Sequence, residues 1–431
     1  MGKRNLSKPL NELTATEIVA AVVAGDASCE AVVRACLDRI WMREPEVHAW
    51  QHLAPEQVLA RARALDRSGN RGPLIGVPFG AKDIIDSCDM PTEYGSPIYK
   101  GHQPKGDAAC IALARRAGAI LLGKTVTTEF ANRYPGKTRN PFDPARTPGG
   151  SSSGSAAAVG DYHVPLAIGT QTSGSTIRPA SFCGAFAYRP THGDLRCTGV
   201  KEAAGSLDTL GLIARSLEDI ALFRDVLLGV DPQHLPESGA PRIGFCRTHL
   251  WSTLEPYTQR LLEDAARQLA AAGAKVKEVT LPSALERIED AHRWISSFEF
   301  ARNFAWEIES HREGISDQLR NGRIKDGLSC TFERYVEART FVERERAAFA
   351  DTFGDCDVLM AAAALGEAPL GLSSTGNASP CTLWTTLHVP AVTIPVFKGP
   401  NSLPIGAQLV ARRNDDRKLL SAARWIYSRL R

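Results

Sequence analysis

The chain has 431 residues, of which 43% are hydrophobic and 23% are charged, and such fractions exclude a disordered or fibrous protein. The 51 basic residues nearly balance the 48 acidic ones, which leaves a formal charge of +3. A net charge this small disfavours electrostatic binding to nucleic acid, so a small molecule is the expected partner.

The sequence shows neither a membrane anchor nor an export signal. The apolar stretch at residues 18–24 ends at Gly25, well short of the ~18 residues that a membrane helix needs. Residues 1–7 are not followed by a signal region, and Leu6 stands where a myristoylation motif requires Ser or Thr. The ten cysteines form no Cys-x-x-Cys pair, which favours reduced thiols. We therefore predict a soluble, cytoplasmic protein.

Capping residues mark the first predicted helices. The Thr14-x-x-Glu pattern is a capping box that opens a helix ending near Ala24, and Ser28 can cap a second helix over residues 29–43. We therefore assign residues 1–60 to N-terminal packing helices.

From residue 74 the pattern changes to alternating strands and helices. Residues 74–79 and 119–122 are short β-like runs, and residues 108–117 between them favour a helix. This alternation is typical of an α/β sheet. Residues 133–155 then form a long segment rich in Pro, Gly, Ser and Thr, and long loops of this kind often carry function.

The rest of the chain continues the α/β pattern. A helix at residues 156–159 and a strand at residues 164–168 precede a second turn of small residues, 169–175. Residues 283–350 favour charged helices that form an exposed cover. A second βαβ-like unit and two returning strands are predicted at residues 242–245, 255–272, 275–279, 389–396 and 405–410.

Two short motifs match known functional patterns but stand in the wrong context. Residues 118–125 fit the P-loop pattern, yet the four variable positions are Ala-Ile-Leu-Leu, which predicts a buried strand instead of a phosphate-binding loop. Residues 150–154 fit the Gly-x-Ser-x-Gly pattern, but a Pro-rich loop precedes them where a strand is required. Ser152 is therefore a poor candidate for that type of nucleophile.

The histidines give no clear sign of a catalytic base. His192 lies close to the Ser- and Gly-rich turns, but a histidine in a turn is an ordinary feature. His163 and His292 fit core or surface positions equally well, and no His-x-x-x-His spacing indicates a metal site. We expect neither histidine catalysis nor a metal ion.

Lys82 is the strongest candidate for a base. It follows the apolar run Val-Pro-Phe-Gly-Ala, where burial would lower the pKa of a lysine and favour its neutral form. A neutral lysine can take the proton of a serine hydroxyl, and lysine replaces histidine in known serine–lysine variants of the catalytic triad. The two Ser- and Gly-rich turns supply candidate serines.

Four motifs belong together. They are Gly-Val-Pro-Phe-Gly-Ala-Lys-Asp at residues 76–83, Leu-Leu-Gly-Lys-Thr at 121–125, Pro-Gly-Gly-Ser-Ser-Ser-Gly-Ser-Ala-Ala-Ala at 148–158, and Gly-Thr-Gln-Thr-Ser-Gly-Ser-Thr-Ile-Arg-Pro-Ala at 169–180. Jointly they strongly resemble the amidase signature family of serine hydrolases. The resemblance covers most of the chain, because further family-like blocks stand at residues 182–193, 206–211 and 403–410.

The resemblance implies a Ser-cisSer-Lys triad. Motif position assigns Ser175 as the nucleophile, Ser151 as the cis-serine that relays the proton, and Lys82 as the base. It also implies a cis peptide bond between Gly150 and Ser151, and it assigns Ser152 as a hydrogen-bond partner of the lysine. No cofactor is expected.

The same resemblance implies an oxyanion hole and a substrate site. Backbone N–H groups of small residues surround the developing negative charge in such a hole, and the matching residues are Thr172, Ser173, Gly174 and Ser175. The residues assigned to substrate binding are Gly150, Thr170 and Arg178.

The sequence departs from the family pattern near Ser175. Many members carry Asp where this chain has Gln171, and a glycine where it has Ser173. Arg178 lies three residues after Ser175, whereas many members carry an arginine two residues after the nucleophile. This variant and residues 82–99 resemble bacterial malonamidase, whose matching arginine binds a substrate carboxylate. The alternative role for Arg178 is a buried salt bridge that holds the loop.

The resemblance implies an α/β/α fold with a mixed central sheet covered by helices on both faces. We expect one amidase-signature domain over residues 1–431, with a catalytic core at residues 70–215 and a variable helical cover at residues 283–370. The expected activity is hydrolysis of a carboxamide, or of a related carbamate or urea, through a seryl acyl-enzyme.

Two alternatives stay open. The first is an amidotransferase A-type subunit, which shares the fold and works in a complex on charged tRNA. The second is a catalytically silent binding module, which would not need the three triad residues. For the amidohydrolase, we expect a small-molecule amide as substrate, no nucleic acid or membrane partner, and a homodimer as the candidate assembly.

Overall fold

The structure is a computed structural model and describes residues 8–69 and 71–431. The prediction that residues 1–7 carry no signal and no myristoylation motif lies outside the described residues. No described helix combines the length and the apolar character that a membrane span requires.

The strands of the described chain form one mixed sheet. They are β1 (Trp50–Leu53), β2 (Pro78–Lys82), β3 (Ile120–Thr125), β4 (Leu166–Gln171), β5 (Phe186–Arg189), β6 (Thr209–Ala214), β7 (Arg242–Phe245), β8 (Lys275–Glu278), β9 (Val358–Ala362), β10 (Ala391–Lys398) and β11 (Pro404–Val410). Their order across the sheet is β1-β3-β2-β4-β6-β5-β10-β11-β9-β7-β8. β2 runs parallel to β3 and β4, and β7 runs parallel to β8 and β9. The other neighbouring strands are antiparallel, so the predicted mixed sheet is confirmed.

The α-helices of the described residues surround this sheet. They are α1 (Ala15–Ala24), α2 (Cys29–Val47), α3 (Pro55–Ser68), α4 (Ala109–Arg116), α5 (Ser153–Gly160), α6 (Ile177–Phe182), α7 (Leu217–Leu228), α8 (Pro256–Ala271), α9 (Ile288–Asn303), α10 (Ala305–Ser310), α11 (Asp317–Leu319), α12 (Lys325–Ser329), α13 (Phe332–Thr352), α14 (Ser379–Thr386) and α15 (Asp416–Leu430). Every residue of β2, β3, β4, β6 and β11 is buried. Protein therefore covers both faces of the central strands, as expected for an α/β/α fold.

The predicted N-terminal caps are confirmed. The Thr14 side chain accepts from the Glu17 N–H, and the Glu17 side chain accepts in return from the Thr14 N–H. Ser28 caps α2, which continues past residue 43 to Val47. These caps satisfy N–H groups that the first turn of a helix leaves without partners.

Several other predicted elements are also confirmed. The second βαβ-like unit consists of β7, α8 and β8, and the two strands pair in parallel. The segment that matched the P-loop pattern is the fully buried strand β3, so its backbone is not free for phosphate.

Two strands begin and end later in the chain than predicted, and both late ends lie at the same part of the sheet. The sequence predicts a strand at residues 74–79, whereas β2 runs from Pro78 to Lys82, so the strand begins four residues later and ends three residues later than predicted. β4 includes the first three residues of the predicted turn at 169–175. The reason is pairing, since Gly169 opposes Gly211 of β6 and continues the ladder. A side chain at Gly169 would place its Cβ 2.5 Å from Ser152 Oγ, so glycine permits this close approach.

Candidate active site

The end of β2 places Lys82 inside the protein. Lys82 has no exposed surface, and its Nζ donates to Ser151 Oγ and to Thr170 Oγ1, each at 2.7 Å. Burial lowers the pKa of Lys82 to about 7, and the charge of Asp208 opposes this shift. A substantial fraction of Lys82 is therefore neutral near neutral pH, and the neutral amine can accept a proton.

Ser151 contacts Lys82, and its neighbour Ser152 contacts the segment that carries Ser175. The Gly150–Ser151 peptide bond is cis, as the resemblance implies. The Ser152 N–H donates to the carbonyl of Ser175 at 3.2 Å, which holds the two serine segments together. Ser151 is 1% exposed, whereas Ser175 is only half-buried. The arrangement leaves Ser175 within reach of a substrate while the lysine stays shielded.

Residues 172–175, which we call the Ser175 turn, connect β4 to the segment preceding α6. In the described part of the chain, none of their backbone N–H groups donates a hydrogen bond. Buried or half-buried N–H groups without acceptors are uncommon in folded proteins. The turn is therefore equipped to bind an oxyanion through the N–H groups of Thr172, Ser173, Gly174 and Ser175.

Side chains brace both ends of the Ser175 turn. Gln171 Oε1 accepts from the N–H groups of Thr176 and Ile177 at 2.9 and 3.0 Å. Thr172 Oγ1 donates to the carboxylate of Asp208 at 2.5 Å. These contacts fix the turn relative to β4, and they give Gln171 a structural role where many family members carry Asp.

Arg178 is buried, and none of the acidic residues that the structure describes pairs with it. It is 4% exposed, and its Nη2 donates to the carbonyl of Gly150 at 2.6 Å and to Thr375 Oγ1 at 3.2 Å. Its Nε and Nη1 are buried with no hydrogen-bond partner among the described residues. No ion pair joins Arg178 to a described acid, so the salt-bridge alternative is wrong. Burial lowers the pKa of Arg178 to about 10, which leaves the group charged at neutral pH.

The assignment of Ser152 as a partner of the lysine is wrong. Ser152 Oγ donates to the Thr170 carbonyl and accepts from the Thr170 N–H, both at 3.2 Å. Its hydroxyl is occupied by the backbone of β4, and the hydroxyl of Thr170 stands beside Lys82 instead. Thr170, which the resemblance assigned to substrate binding, therefore contacts the lysine. Gly150, assigned likewise, presents its carbonyl to Arg178.

The histidines lie apart from the triad residues, with one contact of interest. His192 stacks on His388 with ring centroids 3.9 Å apart, and burial lowers its pKa to about 4. No described hydrogen bond joins it to a triad residue. His292 of α9, which the sequence left without a role, bonds to the Ser175 turn. No spacing pattern along the chain indicates this contact.

The match to known sequences decides the family. Residues 31–420 fit the sequence model of the family described as Amidase. The chain belongs to the amidase family. The A-type subunit of glutamyl-tRNA(Gln) amidotransferase from Chloroflexus aggregans is 33% identical over 469 aligned positions, which cover 95% of each chain.

Solved amidase structures share the fold. An amidase crystal structure matches with a TM-score of 0.89 and 27% identity, over 97% of this chain and 100% of the other. The peptide amidase from Stenotrophomonas maltophilia matches with a TM-score of 0.84 and 27% identity, over 98% of both chains. This amidase-family chain is thus an enzyme of the class that acts on amide C–N bonds. These comparisons do not single out malonamidase, so the narrower resemblance is not supported by them.

Proposed function

We propose that this amidase-family chain hydrolyses a carboxamide, or a related carbamate or urea, through a seryl acyl-enzyme at Ser175. The buried contact of Lys82 with Ser151 carries the proposal, because it provides a base whose pKa is near 7 and a hydroxyl that can relay a proton. We also propose a single domain over residues 1–431, which the continuous sheet from β1 to β11 supports.

The proposed reaction has two halves. Ser175 Oγ attacks the carbonyl carbon while its proton passes to Ser151 Oγ and the Ser151 proton passes to Lys82 Nζ. The N–H groups of the Ser175 turn hold the oxyanion, and the C–N bond breaks as the leaving amine takes a proton back through the same relay. Water then attacks the ester, its proton follows the same route, and the acid departs from a restored Ser175.

Arg178 supports an acidic acyl group as the preferred substrate. A buried guanidinium whose Nε and Nη1 have no partner among the described residues is costly unless an acceptor arrives, and a carboxylate is the acceptor that a charged guanidinium binds most strongly. Arg178 lies one turn after the half-buried Ser175, at the start of α6. We propose that the substrate carries a carboxylate on the acyl side of the scissile bond.

The amidotransferase component is the second candidate, and the names of the curated relatives favour it. Relatives such as the Chloroflexus aggregans protein are named for glutamyl-tRNA(Gln), which stands against our expectation that nucleic acid plays no part. An A-type component would share the amide-cleaving site but would depend on partner proteins and tRNA. The two candidates therefore differ in what the isolated chain can do.

The test is turnover by the purified chain alone. Malonamate and neutral amides, carbamates and ureas are supplied, and ammonia or amine release is scored for wild type and for Ser175→Ala. Turnover that Ser175→Ala abolishes supports the stand-alone amidohydrolase. Turnover that appears only with added amidotransferase partners and charged tRNA supports the amidotransferase component instead. Turnover unchanged in Ser175→Ala excludes the proposed acyl-enzyme.

A further inference from the structure

Two side chains outside the triad hold consecutive carbonyl groups of the Ser175 turn. His292 Nε2 lies 2.9 Å from the carbonyl oxygen of Thr172, and Thr385 Oγ1 lies 2.6 Å from that of Ser173. A carbonyl oxygen can only accept, so His292 must carry its proton on Nε2 and Thr385 must donate its hydroxyl. Both donors come from distant helices, α9 and α14.

Because the peptide group is planar, these two contacts also set the direction of the N–H groups that follow the two carbonyls. In a planar trans peptide, the C=O of one residue and the N–H of the next point in opposite directions. Fixing the carbonyl of Thr172 therefore fixes the N–H of Ser173 on the opposite side of the peptide plane. Fixing the carbonyl of Ser173 does the same for the N–H of Gly174. Both are among the N–H groups that donate no described hydrogen bond.

The surroundings keep each donor in place. His292 is 8% exposed, and burial lowers its pKa to about 4, so the ring is neutral at neutral pH. The hydroxyl of Thr385 accepts from Gln171 Nε2 at 2.9 Å. The hydroxyl has one proton and two neighbouring carbonyl oxygens. Thr385 Oγ1 lies 2.6 Å from the Ser173 carbonyl oxygen and 3.1 Å from the Cys381 carbonyl oxygen, so the Ser173 carbonyl is the nearer acceptor. The Ser173 hydroxyl also lies 3.2 Å from His292 Nε2.

We propose that His292 and Thr385 are positioning residues, which aim the N–H groups of Ser173 and Gly174 at the oxygen of the tetrahedral intermediate. The inference rests on the proposed function, because it needs an oxyanion to form at Ser175. Neither side chain takes part in proton transfer. Their contribution is greatest where negative charge develops, so their loss lowers kcat more than it raises KM.

The experiment compares variants that keep or remove each donor. His292→Gln places an amide N–H near the position of Nε2, whereas His292→Leu offers no donor. Thr385→Ser keeps the hydroxyl, whereas Thr385→Val removes it with little change in shape. We expect kcat to fall about tenfold or more in the Leu and Val variants, with KM within about twofold of wild type. The Gln and Ser variants recover most of the rate.

Two controls separate this inference from its alternatives. Arg293→Gln changes the next residue of α9, whose side chain is 53% exposed and paired with Asp326, and should leave the kinetics unchanged. Melting temperatures of all variants are measured together. Should His292→Leu fail to fold, the Thr385 pair still decides, because Val is nearly isosteric with Thr.

The outcomes are distinct. If Ser175→Ala is inactive while His292→Leu and Thr385→Val keep the wild-type kcat, the positioning role is overturned and the proposed function stands. If His292→Gln and His292→Leu lose the same amount of kcat, and both have a lower melting temperature, then His292 only supports the fold. If Ser175→Ala retains activity, the proposed function itself has failed.

Discussion

Lys82 Nζ and Ser151 Oγ lie 2.7 Å apart, and both residues are shielded from solvent. Lys82 is the last residue of β2. Ser151 follows the cis Gly150–Ser151 peptide bond and lies 69 positions later in the chain. Because bulk water does not reach this pair, the protonation state of Lys82 decides whether a proton can leave Ser151.

We expect kcat/KM to rise with pH through about 7 and then to level off. Lys82 accepts a proton only when neutral, and the neutral fraction grows as pH passes its pKa of about 7 from below. A pH–rate profile on a non-ionising amide measures this. Lys82→Met should be nearly inactive at every pH, and a flat wild-type profile would contradict the assignment.

A matched control is available in β3. Lys124 is also fully buried, but its Nζ donates to the carbonyl of Ile85 and to Thr92 Oγ1, each at 2.5 Å, away from the serines. Lys124→Met should lower the melting temperature. The residual activity of Lys124→Met should show the same fall in kcat/KM at low pH as the wild type, because the protonation of Lys82 causes that fall.

Ser175→Ala should abolish turnover and leave the fold intact, because it removes one half-buried hydroxyl and no core volume.

Ser151→Ala should be severely impaired with a residual rate, since a water molecule can take the place of the relay hydroxyl. Single-turnover assays and circular dichroism check both. A Ser151→Ala variant with wild-type kcat would remove Ser151 from the proton path.

Ser152→Ala should lose much less activity than Ser151→Ala. Its hydroxyl contacts only the backbone of Thr170 among the described residues, and not Lys82. The ratio of the two kcat values is the measurement. Equal losses would restore Ser152 to the position beside the lysine that the family resemblance assigned.

Thr170→Val should lower kcat/KM about fivefold, because the Lys82 amine loses one of its two described hydrogen-bond partners, worth about 1 kcal/mol. Thr170→Ser keeps the hydroxyl and should remain close to wild type. Steady-state kinetics of both variants on the same amide provide the check. A raised KM with unchanged kcat would instead return Thr170 to substrate binding.

Arg178→Met should raise KM for malonamate far more than for a neutral amide. The loss of a charged hydrogen-bonded pair is worth roughly 1.5–3 kcal/mol. Because Nη2 also holds the Gly150 carbonyl, a smaller loss on every substrate is expected. Equal losses on both substrates, together with a lower melting temperature, would show that Arg178 only supports the loop around Gly150.

Much of the fold could be predicted from the sequence because the signals are local. The capping box at Thr14, the alternation of strands and helices after residue 74, and the small-residue turns all depend on neighbours within a few positions. The family resemblance likewise depends on runs of contiguous residues, which is why it named Lys82, Ser151 and Ser175 together. The ends of β2 and β4 were less predictable, because pairing with other strands sets them.

The sequence by itself determined the family, the mixed sheet and the three candidate catalytic residues, while the tertiary structure decided which groups surround them. Only the folded chain shows that Thr170, and not Ser152, contacts Lys82, and that Arg178 has no acidic partner among the described residues. His292 meets Thr172 across 120 positions of chain. Such contacts depend on strand register and side-chain direction, and sequence spacing reports neither across long separations.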